Sequence, residues 1–288
     1  MQHLNLFIEL TRLNKPIGYM LLFWPCLWGL TLVYDFDGET YTYIKYFIFF
    51  LLGSVLMRSA GCIINDVADK KFDQKVERTK NRPIASGKVP TSLALLYALI
   101  LCFFAFFVLI NFNLLTIILA IASMPLAFTY PLMKRFTYWP QLFLGITFNY
   151  GLILAWSSIN NDISIIPIVF YFGAIFWTLG YDTIYGYQDI KDDEIIGVKS
   201  TSIKFKNNPK SFLILCYSVF LVSIILIGFL MQFNNIFYFT LTITFLHLFI
   251  YQIKSFSADE PKNCLKIFKS NNILGLIVFV NILFGKIF

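Results

Sequence analysis

Long apolar stretches separated by short polar connections dominate the hydrophobic pattern of this chain. An apolar helix of about 20 residues is long enough to cross a bilayer. By this criterion the sequence predicts an all-α integral membrane protein with nine transmembrane helices. The predicted spans are about 16–34, 44–64, 92–110, 113–131, 138–158, 164–186, 210–231, 234–254 and 271–287.

An internal repeat organises these spans into two pseudo-repeated four-helix halves plus a ninth helix. Asp69 and Asp73 recur as Asp189 and Asp193, and each pair follows the second span of its half. We therefore expect a single transmembrane domain over residues 1–288. Its polar segments, at about 65–91 and 187–209, are predicted to face each other over one shared cavity and to form the active-site loops.

The composition excludes a water-soluble globular domain. Hydrophobic residues make up 58% of the chain and charged residues 14%, whereas a soluble domain carries roughly 25% charged residues. The five cysteines are scattered, so their spacing predicts neither a metal site nor a disulfide framework. The net charge of +7 does not indicate a nucleic-acid partner, because the basic residues follow the membrane topology.

The positive charges alternate between the two ends of the predicted spans. Lys and Arg cluster before the first span and after the second, fourth, sixth and eighth spans, and the intervening connections hold almost none, Lys45 being the marginal exception. The positive-inside rule therefore predicts a cytoplasmic N-terminus and cytoplasmic polar loops. We expect a multi-pass protein of the bacterial inner (cytoplasmic) membrane, embedded in the lipid bilayer and without a removable signal peptide.

The polar loops hold acidic residues in a regular arrangement. Asn65, Asp69 and Asp73 are spaced i, i+4, i+8, which places them on one helix face, and Asp189 and Asp193 repeat the i, i+4 spacing. Mg²⁺ prefers oxygen ligands of this kind and completes its shell with phosphate oxygens and water. The pattern predicts five metal ligands that hold a diphosphate through Mg²⁺. Asp192 adjoins Asp193, and the sequence leaves open which of these two acids binds the metal. Solvated loops that merely obey the charge rule would not require aligned carboxylates twice.

Basic residues beside these carboxylates are candidates for neutralising the diphosphate. They are Arg78, Lys80, Arg82, Lys199 and Lys204. Two further charged residues, Arg58 and Asp182, fall inside predicted spans, where a charge is costly and usually functional. We expect Arg58 to contact the diphosphate or a loop carboxylate, the alternative being that it snorkels to the surface. Asp182 is expected to orient a cation or a phenol, the alternative being a structural polar contact.

Three segments together resemble one known family. The run Asn65-x3-Asp69-x2-Phe72-Asp73 with the following Arg78-Thr79-x2-Arg82-Pro83 is similar to the first signature of UbiA-type membrane prenyltransferases. The segment from Tyr181 to Thr201, with Asp189-x3-Asp193, resembles the second aspartate-rich loop of that family. The segment from Tyr130 to Pro140 resembles its 4-hydroxybenzoate branch, and the resemblance extends over essentially the whole chain.

The resemblance implies an activity and roles for particular residues. Mg²⁺ held by Asn65 and the aspartates would grip the diphosphate of a polyprenyl diphosphate, and the allylic cation would alkylate 4-hydroxybenzoate ortho to its hydroxyl, in ubiquinone biosynthesis. Asp66, Asp182 and Arg135 are the expected catalytic residues. Lys134 and Arg135 are expected to bind the benzoate carboxylate or the diphosphate, the alternative for Arg135 being a topology anchor that obeys the positive-inside rule.

Two alternatives stay open from the sequence alone. The first is the same chemistry on another acceptor, such as haem, a naphthoate or a lipid. The second is an ion-coupled transporter, although transporter acids lie at mid-span on broken helices whereas these lie mostly at one end of the spans. The isoprenoid length and the oligomeric state are not predicted.

Overall fold

The computed structural model describes residues 2–288 and is all-α over that range, with no strand. The helices are α1 (Gln2–Thr11), α2 (Ile17–Val33), α3 (Thr40–Asp73), α4 (Thr91–Leu109), α5 (Leu114–Thr129), α6 (Pro140–Phe148), α7 (Gly151–Asn160), α8 (Ile165–Gly186), α9 (Ile190–Ile196), α10 (Thr201–Lys204), α11 (Pro209–Leu230), α12 (Asn235–Phe245) and α13 (Pro261–Ile287). A 3₁₀ segment, Tyr130–Arg135, continues α5, and a π-helical segment, Leu246–Ile253, continues α12. The predicted fold class is confirmed.

Eight helical segments of the described chain are long and apolar enough to cross a membrane. They are α3, α4, α5 with its 3₁₀ extension, α6 together with α7, α8, α11, α12 with its π-helical extension, and α13. The shorter apolar helix α2 is 17 residues long. These eight segments and α2 correspond in order to the nine predicted spans.

The helix bounds differ from the predicted spans where polar residues continue a helix. α3 runs to Asp73. The acidic stripe, formed by Asn65, Asp69 and Asp73, therefore lies on the last turns of a helix rather than in a loop. α13 begins at Pro261, well before the predicted start at 271, because its lysine-rich first turns are helical although they are not apolar. In the second polar segment, α9 and α10 are short helices separated from α8.

An aromatic cluster forms the centre of the bundle. The ring of Trp28 on α2 lies 5.4 Å from Phe170, 4.9 Å from Trp177 and 6.0 Å from Phe220, measured between ring centroids. Its Nε1–H donates to the carbonyl oxygen of Gly275 at 2.9 Å. Buried aromatic rings provide large apolar contact areas, so this cluster holds α2, α8, α11 and α13 together.

Buried polar side chains add hydrogen bonds between helices. The indole of Trp177 on α8 donates to Asn271 Oδ1 on α13 at 2.8 Å. Gln252 Nε2 donates to the same oxygen at 3.1 Å, and Tyr217 OH donates to Gln252 Oε1 at 2.7 Å. In an apolar environment such bonds favour one helix arrangement, because an unpaired polar group there is costly.

The helices α4 and α5 have different packing partners although a short turn joins them. α4 packs along α3, whereas α5 packs mainly on α6 and α7. The outer face of α4 exposes large apolar side chains, including Phe103, Phe106 and Phe107. Exposed aromatic residues at this density fit a lipid-facing surface, and the divergent packing of α4 and α5 leaves room for a cavity between them.

Candidate active site

A polar cavity of about 330 Å³ lies at the end of the bundle where α3 ends. α3 contributes Asn65, Asp69 and Asp73 to its wall, and the second polar segment contributes Asp189 and Asp193. The fold therefore brings all five predicted metal ligands to one cavity. The two acidic pairs line the same cavity, and the segment after α8 meets the segment after α3 through the Arg78–Asp189 ion pair.

Three carboxylates of the cavity wall are paired with cations. Lys134 Nζ lies 2.5 Å from Asp69 Oδ2, and Arg82 Nη1 lies 2.8 Å from Asp73 Oδ2. Arg78 Nε donates to Asp189 Oδ1 at 2.7 Å. This last pair joins the two polar segments directly, and charge-assisted bonds of this type are among the stronger polar interactions in proteins.

The donor set of the cavity fits a divalent cation, although no three or more His, Cys, Asp or Glu side chains within residues 2–288 already converge as a metal site. Asp69 Oδ1 is buried and has no hydrogen-bond partner among the described residues. Burial, and next the charge of Asp189, raise the pKa of Asp193 to about 6. A cation near these groups would supply a partner for Asp69 Oδ1 and would favour the ionised form of Asp193.

Asp66 lies behind the cavity wall rather than in it. Its side chain is nearly fully buried, and Oδ1 accepts hydrogen bonds from Arg12 Nη2 at 2.5 Å and from Arg82 Nη1 at 3.1 Å. Both arginines line the polar cavity. Asp66 thus holds two cations at the edge of the site, one that directly follows α1 and one from the segment after α3.

A second group of polar residues lines the deep end of the polar cavity. Arg58 on α3 and Asp182 on α8 lie there together with Tyr130. The guanidinium of Arg58 lies 5.3 Å from the ring centroid of Phe148 and its Nε has no partner within the described residues. A Cβ at Gly18 would lie 3.0 Å from that Nε, so the glycine leaves space for the guanidinium.

The remaining predicted site residues are distributed unevenly. Lys199 lines the cavity, and its Nζ donates to the carbonyl oxygen of Phe136 at 3.2 Å. Lys80 is an exposed partner of Glu77, at 2.6 Å, away from the cavity wall. Arg135 lies outside the wall, where Nη2 donates to the carbonyl oxygen of Ala68 at 2.6 Å. The substrate-binding roles of Lys80 and Arg135 stay predictions.

Sequence reasoning does not identify Arg12 and Tyr130 as site residues. In the sequence Arg12 is a topology charge, and its partner Asp66 lies on a different helix far along the chain, so no local spacing could pair them. Tyr130 begins a segment that resembles the family, but nothing in that segment indicates that its side chain lines a cavity.

An apolar cavity of about 420 Å³ adjoins the polar one. Arg58, Tyr130 and Phe148 line both cavities, and they therefore mark the junction. α3, α4, α5, α6 and α7 provide most of the remaining wall of the apolar cavity. The pair of cavities can accommodate an amphiphilic ligand whose charged head and apolar tail occupy different compartments.

A helical membrane bundle with a carboxylate-and-cation cavity joined to an apolar cavity is the architecture of an enzyme that acts on a charged lipid-like substrate. The sequence profile described as the UbiA prenyltransferase family matches residues 22–280. The chain belongs to this family, as the sequence resemblance predicted.

Curated relatives match nearly the whole chain. A protein of Nitrosomonas eutropha named 4-hydroxybenzoate octaprenyltransferase is 39% identical over 282 residues, which cover 98% of this chain and 97% of the relative. A protein of Lithospermum erythrorhizon named 4-hydroxybenzoate geranyltransferase 2 is 40% identical over 285 residues, which cover 98% of this chain and 91% of the relative. The two names share an acceptor and differ in isoprenoid length.

Solved structures show the same fold. A UbiA homologue from Aeropyrum pernix K1 superposes with a TM-score of 0.75 at 21% identity, covering 92% of this chain and 97% of that one. A UbiA homologue from Archaeoglobus fulgidus bound to GPP and Mg²⁺ gives a TM-score of 0.69 at 16% identity, covering 96% and 99%. At these identities the likeness concerns the fold, and it supports a multi-pass membrane protein.

Proposed function

We propose that this protein transfers a polyprenyl group from a polyprenyl diphosphate to 4-hydroxybenzoate, at the ring carbon ortho to the hydroxyl, and releases diphosphate. The observation that carries the proposal is the junction of a charged cavity with an apolar cavity at Arg58, Tyr130 and Phe148. A prenyl diphosphate has a highly charged head and a long apolar tail, so it matches the two compartments. Family membership and the names of the relatives point to the same reaction.

We propose Mg²⁺ as the cofactor and Asn65, Asp69, Asp73, Asp189 and Asp193 as the residues that would hold it. When bound, Mg²⁺ would supply positive charge that stabilises the leaving diphosphate. The buried Oδ1 of Asp69, which has no partner in the part of the chain that the structure describes, and the raised pKa of Asp193 support a cation at this place. The Mg²⁺ present with GPP in the Archaeoglobus homologue is consistent with this choice.

The cations of the cavity wall would bind the diphosphate oxygens. Arg78, Arg82, Lys134 and Lys199 are the predicted members of this group that line the cavity, and Arg12 joins them. In the structure three of them pair with aspartates of the wall. Binding of Mg²⁺ and diphosphate together would add charges of both signs. The aspartates could then pair with Mg²⁺ and the basic side chains with the diphosphate, so no buried charge would lose its partner.

Asp66 would act by positioning rather than by contact with substrate. Its carboxylate holds Arg12 and Arg82 at the cavity edge. A buried carboxylate between two guanidinium groups restricts the orientation of both. Binding groups that are held in place before the substrate arrives lose less conformational freedom on binding, which strengthens binding of the diphosphate.

The acceptor would bind at the junction of the cavities. Arg58 would offer its guanidinium to the benzoate carboxylate, because its buried Nε has no hydrogen-bond partner within residues 2–288. Asp182 lies in the same wall, and its carboxylate would accept a hydrogen bond from the phenol. In the reaction the allylic C–O bond breaks, a C–C bond forms at the ortho carbon, and that ring carbon loses its proton. The carboxylate of Asp182 is available to take this proton.

The surrounding protein excludes water from the allylic cation. The ring of Phe148 and the phenol of Tyr130 line the junction where the cation would form. Aromatic faces attract cations, and an apolar wall keeps water from capturing the cation before the acceptor does.

We propose a bacterial inner-membrane location with the N-terminus and both polar segments in the cytoplasm. The alternation of Lys and Arg along the sequence supports this orientation. The whole chain would act as one transmembrane domain, because the polar cavity receives residues from α1, α3, α8 and the segments that follow them.

The purified protein would test this proposal with Mg²⁺, radiolabelled geranyl diphosphate and a panel of acceptors. The panel would contain 4-hydroxybenzoate, a hydroxynaphthoate, haem and a glycerophosphate lipid. We expect labelled product with 4-hydroxybenzoate alone. Transfer to another acceptor, with none to 4-hydroxybenzoate, would overturn the acceptor assignment and leave prenyl transfer intact. Absence of transfer to every acceptor by the folded protein would overturn the proposed reaction.

A further inference from the structure

Two glycines in the middle of α3 are not explained by close packing. Glycine destabilises a helix interior relative to alanine, so it usually serves a contact that a side chain would prevent. Gly180 and Gly275 follow this rule, because a Cβ would lie 2.4 Å from the Tyr217 ring at the first and 2.3 Å from the Trp24 ring at the second. At Gly53 and Gly61 a Cβ would meet no other atom of residues 2–288 within 4 Å outside the helix's own backbone.

The open space at both glycines is the apolar cavity. Gly53 and Gly61 line it, and Arg58, at the junction with the polar cavity, lies between them on the same helix. With a helical rise of 1.5 Å per residue, Gly53 lies about 7.5 Å beyond Arg58, away from the acidic stripe. Gly61 lies one turn before Asn65 and therefore close to the diphosphate end.

We propose that Gly53 and Gly61 determine which isoprenoid lengths the protein accepts, by keeping the path of the chain open. The inference rests on the proposed function, which fixes the diphosphate beside Asn65 and directs the tail into the apolar cavity. The tail then passes Gly61 first and Gly53 later. A large side chain at Gly53 would obstruct the later isoprene units, whereas one at Gly61 would obstruct the first.

The remaining walls are consistent with a passage at this level. Ala105 on α4 and Ala120 on α5 also line the cavity, and their small side chains add to the free volume. Beyond them Phe112, in the turn between α4 and α5, packs on Phe50 at 5.0 Å and on Tyr46 at 5.3 Å between ring centroids. These rings narrow the end of the cavity farthest from the acidic stripe, so the glycines occupy its middle and its entrance.

The test compares Gly53→Leu with the unsubstituted protein on geranyl and farnesyl diphosphates. We expect kcat/KM for geranyl diphosphate to stay within about threefold, and the farnesyl-to-geranyl ratio of kcat/KM to fall at least about tenfold. Leu52→Phe is the matched control, because Leu52 is an exposed neighbour on the same helix and the substitution adds volume outside the cavity. Gly61→Leu should reduce activity with both donors.

A second measurement separates this inference from the proposed function. Binding of unreactive geranyl and farnesyl thiodiphosphates reports the path of the chain without any acceptor. Gly53→Leu should weaken binding of the farnesyl analogue at least about tenfold more than binding of the geranyl analogue. If no acceptor is prenylated but this difference is seen, the proposed reaction fails and the glycine assignment stands.

Several outcomes would overturn the assignment of the glycines. An unchanged farnesyl-to-geranyl ratio in folded Gly53→Leu would do so, as would an equal loss for both analogues. An equal change in Leu52→Phe would show that the cavity is not the cause. If Gly53→Leu does not fold, Gly53→Ala replaces it, and an analogue ratio unchanged by the added methyl group would reject the proposal.

Discussion

The guanidinium of Arg12, directly after α1, lies 2.5 Å from the buried carboxylate of Asp66 on α3. Arg12 adopts a φ of 56°, in the left-handed region that is unfavourable for residues with a Cβ. Arg82 bonds to the same oxygen at 3.1 Å. The interaction therefore attaches the N-terminal helix to α3 and holds two cations at the edge of the polar cavity.

Asp66→Asn should weaken binding of the prenyl diphosphate. A neutral amide leaves both arginines less well held, so we expect KM for the diphosphate to rise about tenfold, with a smaller change in kcat. Steady-state kinetics at saturating 4-hydroxybenzoate measure this effect. Glu77→Gln is the control, because Glu77 pairs with Lys80 on the exposed surface and should leave both constants unchanged. A fall in kcat at constant KM would contradict the positioning role.

Removal of divalent metal should abolish activity reversibly. EDTA should stop product formation, and added Mg²⁺ or Mn²⁺ should restore it, because the proposed ligands are carboxylates and an amide oxygen. The release of labelled diphosphate measures the reaction independently of the acceptor. Full turnover in the presence of excess chelator would refute the metal assignment.

Alanine substitutions of the four aspartates in the cavity wall should each reduce kcat at least about 10²-fold, since loss of charge stabilisation at a leaving group typically costs about 3 kcal/mol. The four positions are Asp69, Asp73, Asp189 and Asp193. Asp192→Ala is the matched control, because Asp192 adjoins Asp193 but is not part of the cavity wall. Near-normal rates in two of the four variants, or an equal loss in the control, would reject the assignment.

The sequence predicts the helical spans well because each one is a long apolar segment, and lipid-facing residues such as Phe103 on α4 need no tertiary partner to be recognised. It predicts helix ends less well. α3 continues to Asp73 and α13 begins at Pro261, since helical hydrogen bonding does not stop where the apolar composition ends.

The acidic wall of the cavity could be predicted because its side chains recur at fixed short spacings on two segments. Pairs of residues that meet across the fold could not be predicted from the sequence. Arg12 reaches Asp66 from another helix, and Arg78 reaches Asp189 across the cavity, and neither pair has a local sequence pattern. The apolar cavity is equally invisible in the sequence, because residue types that line it, such as Phe106, also occur on the lipid-facing surface.

Cysteine labelling should place the two sets of connections on opposite sides of the membrane. Lys88→Cys, after α3, should react with an impermeant reagent only from the cytoplasm, and Asn160→Cys, at the end of α7, only from the other side. Both positions are exposed. The unsubstituted protein is the control, because four of its five cysteines are buried and Cys102 is partly so. Labelling of both variants from one side would refute the proposed topology.

Two arginines are candidates for the carboxylate of 4-hydroxybenzoate. Arg135 is selected by family resemblance, whereas Arg58 is favoured by its buried position at the junction and its unpartnered Nε. Arg135 already donates to the carbonyl oxygen of Ala68 and lies 5.4 Å from the ring centroid of Phe72. These contacts fit a residue that supports the last turns of α3 from outside the cavity.

Lysine substitutions distinguish the two arginines, because lysine keeps the positive charge but loses the planar, bidentate donor group. Arg58→Lys should raise KM for 4-hydroxybenzoate at least about tenfold and leave KM for the prenyl diphosphate nearly unchanged. Arg135→Lys should change KM for 4-hydroxybenzoate by less than about threefold. 4-Hydroxybenzamide lacks the carboxylate charge, so its KM should differ little between the unsubstituted protein and Arg58→Lys. A large KM effect in Arg135→Lys together with none in Arg58→Lys would reverse the assignment and return the carboxylate to Arg135.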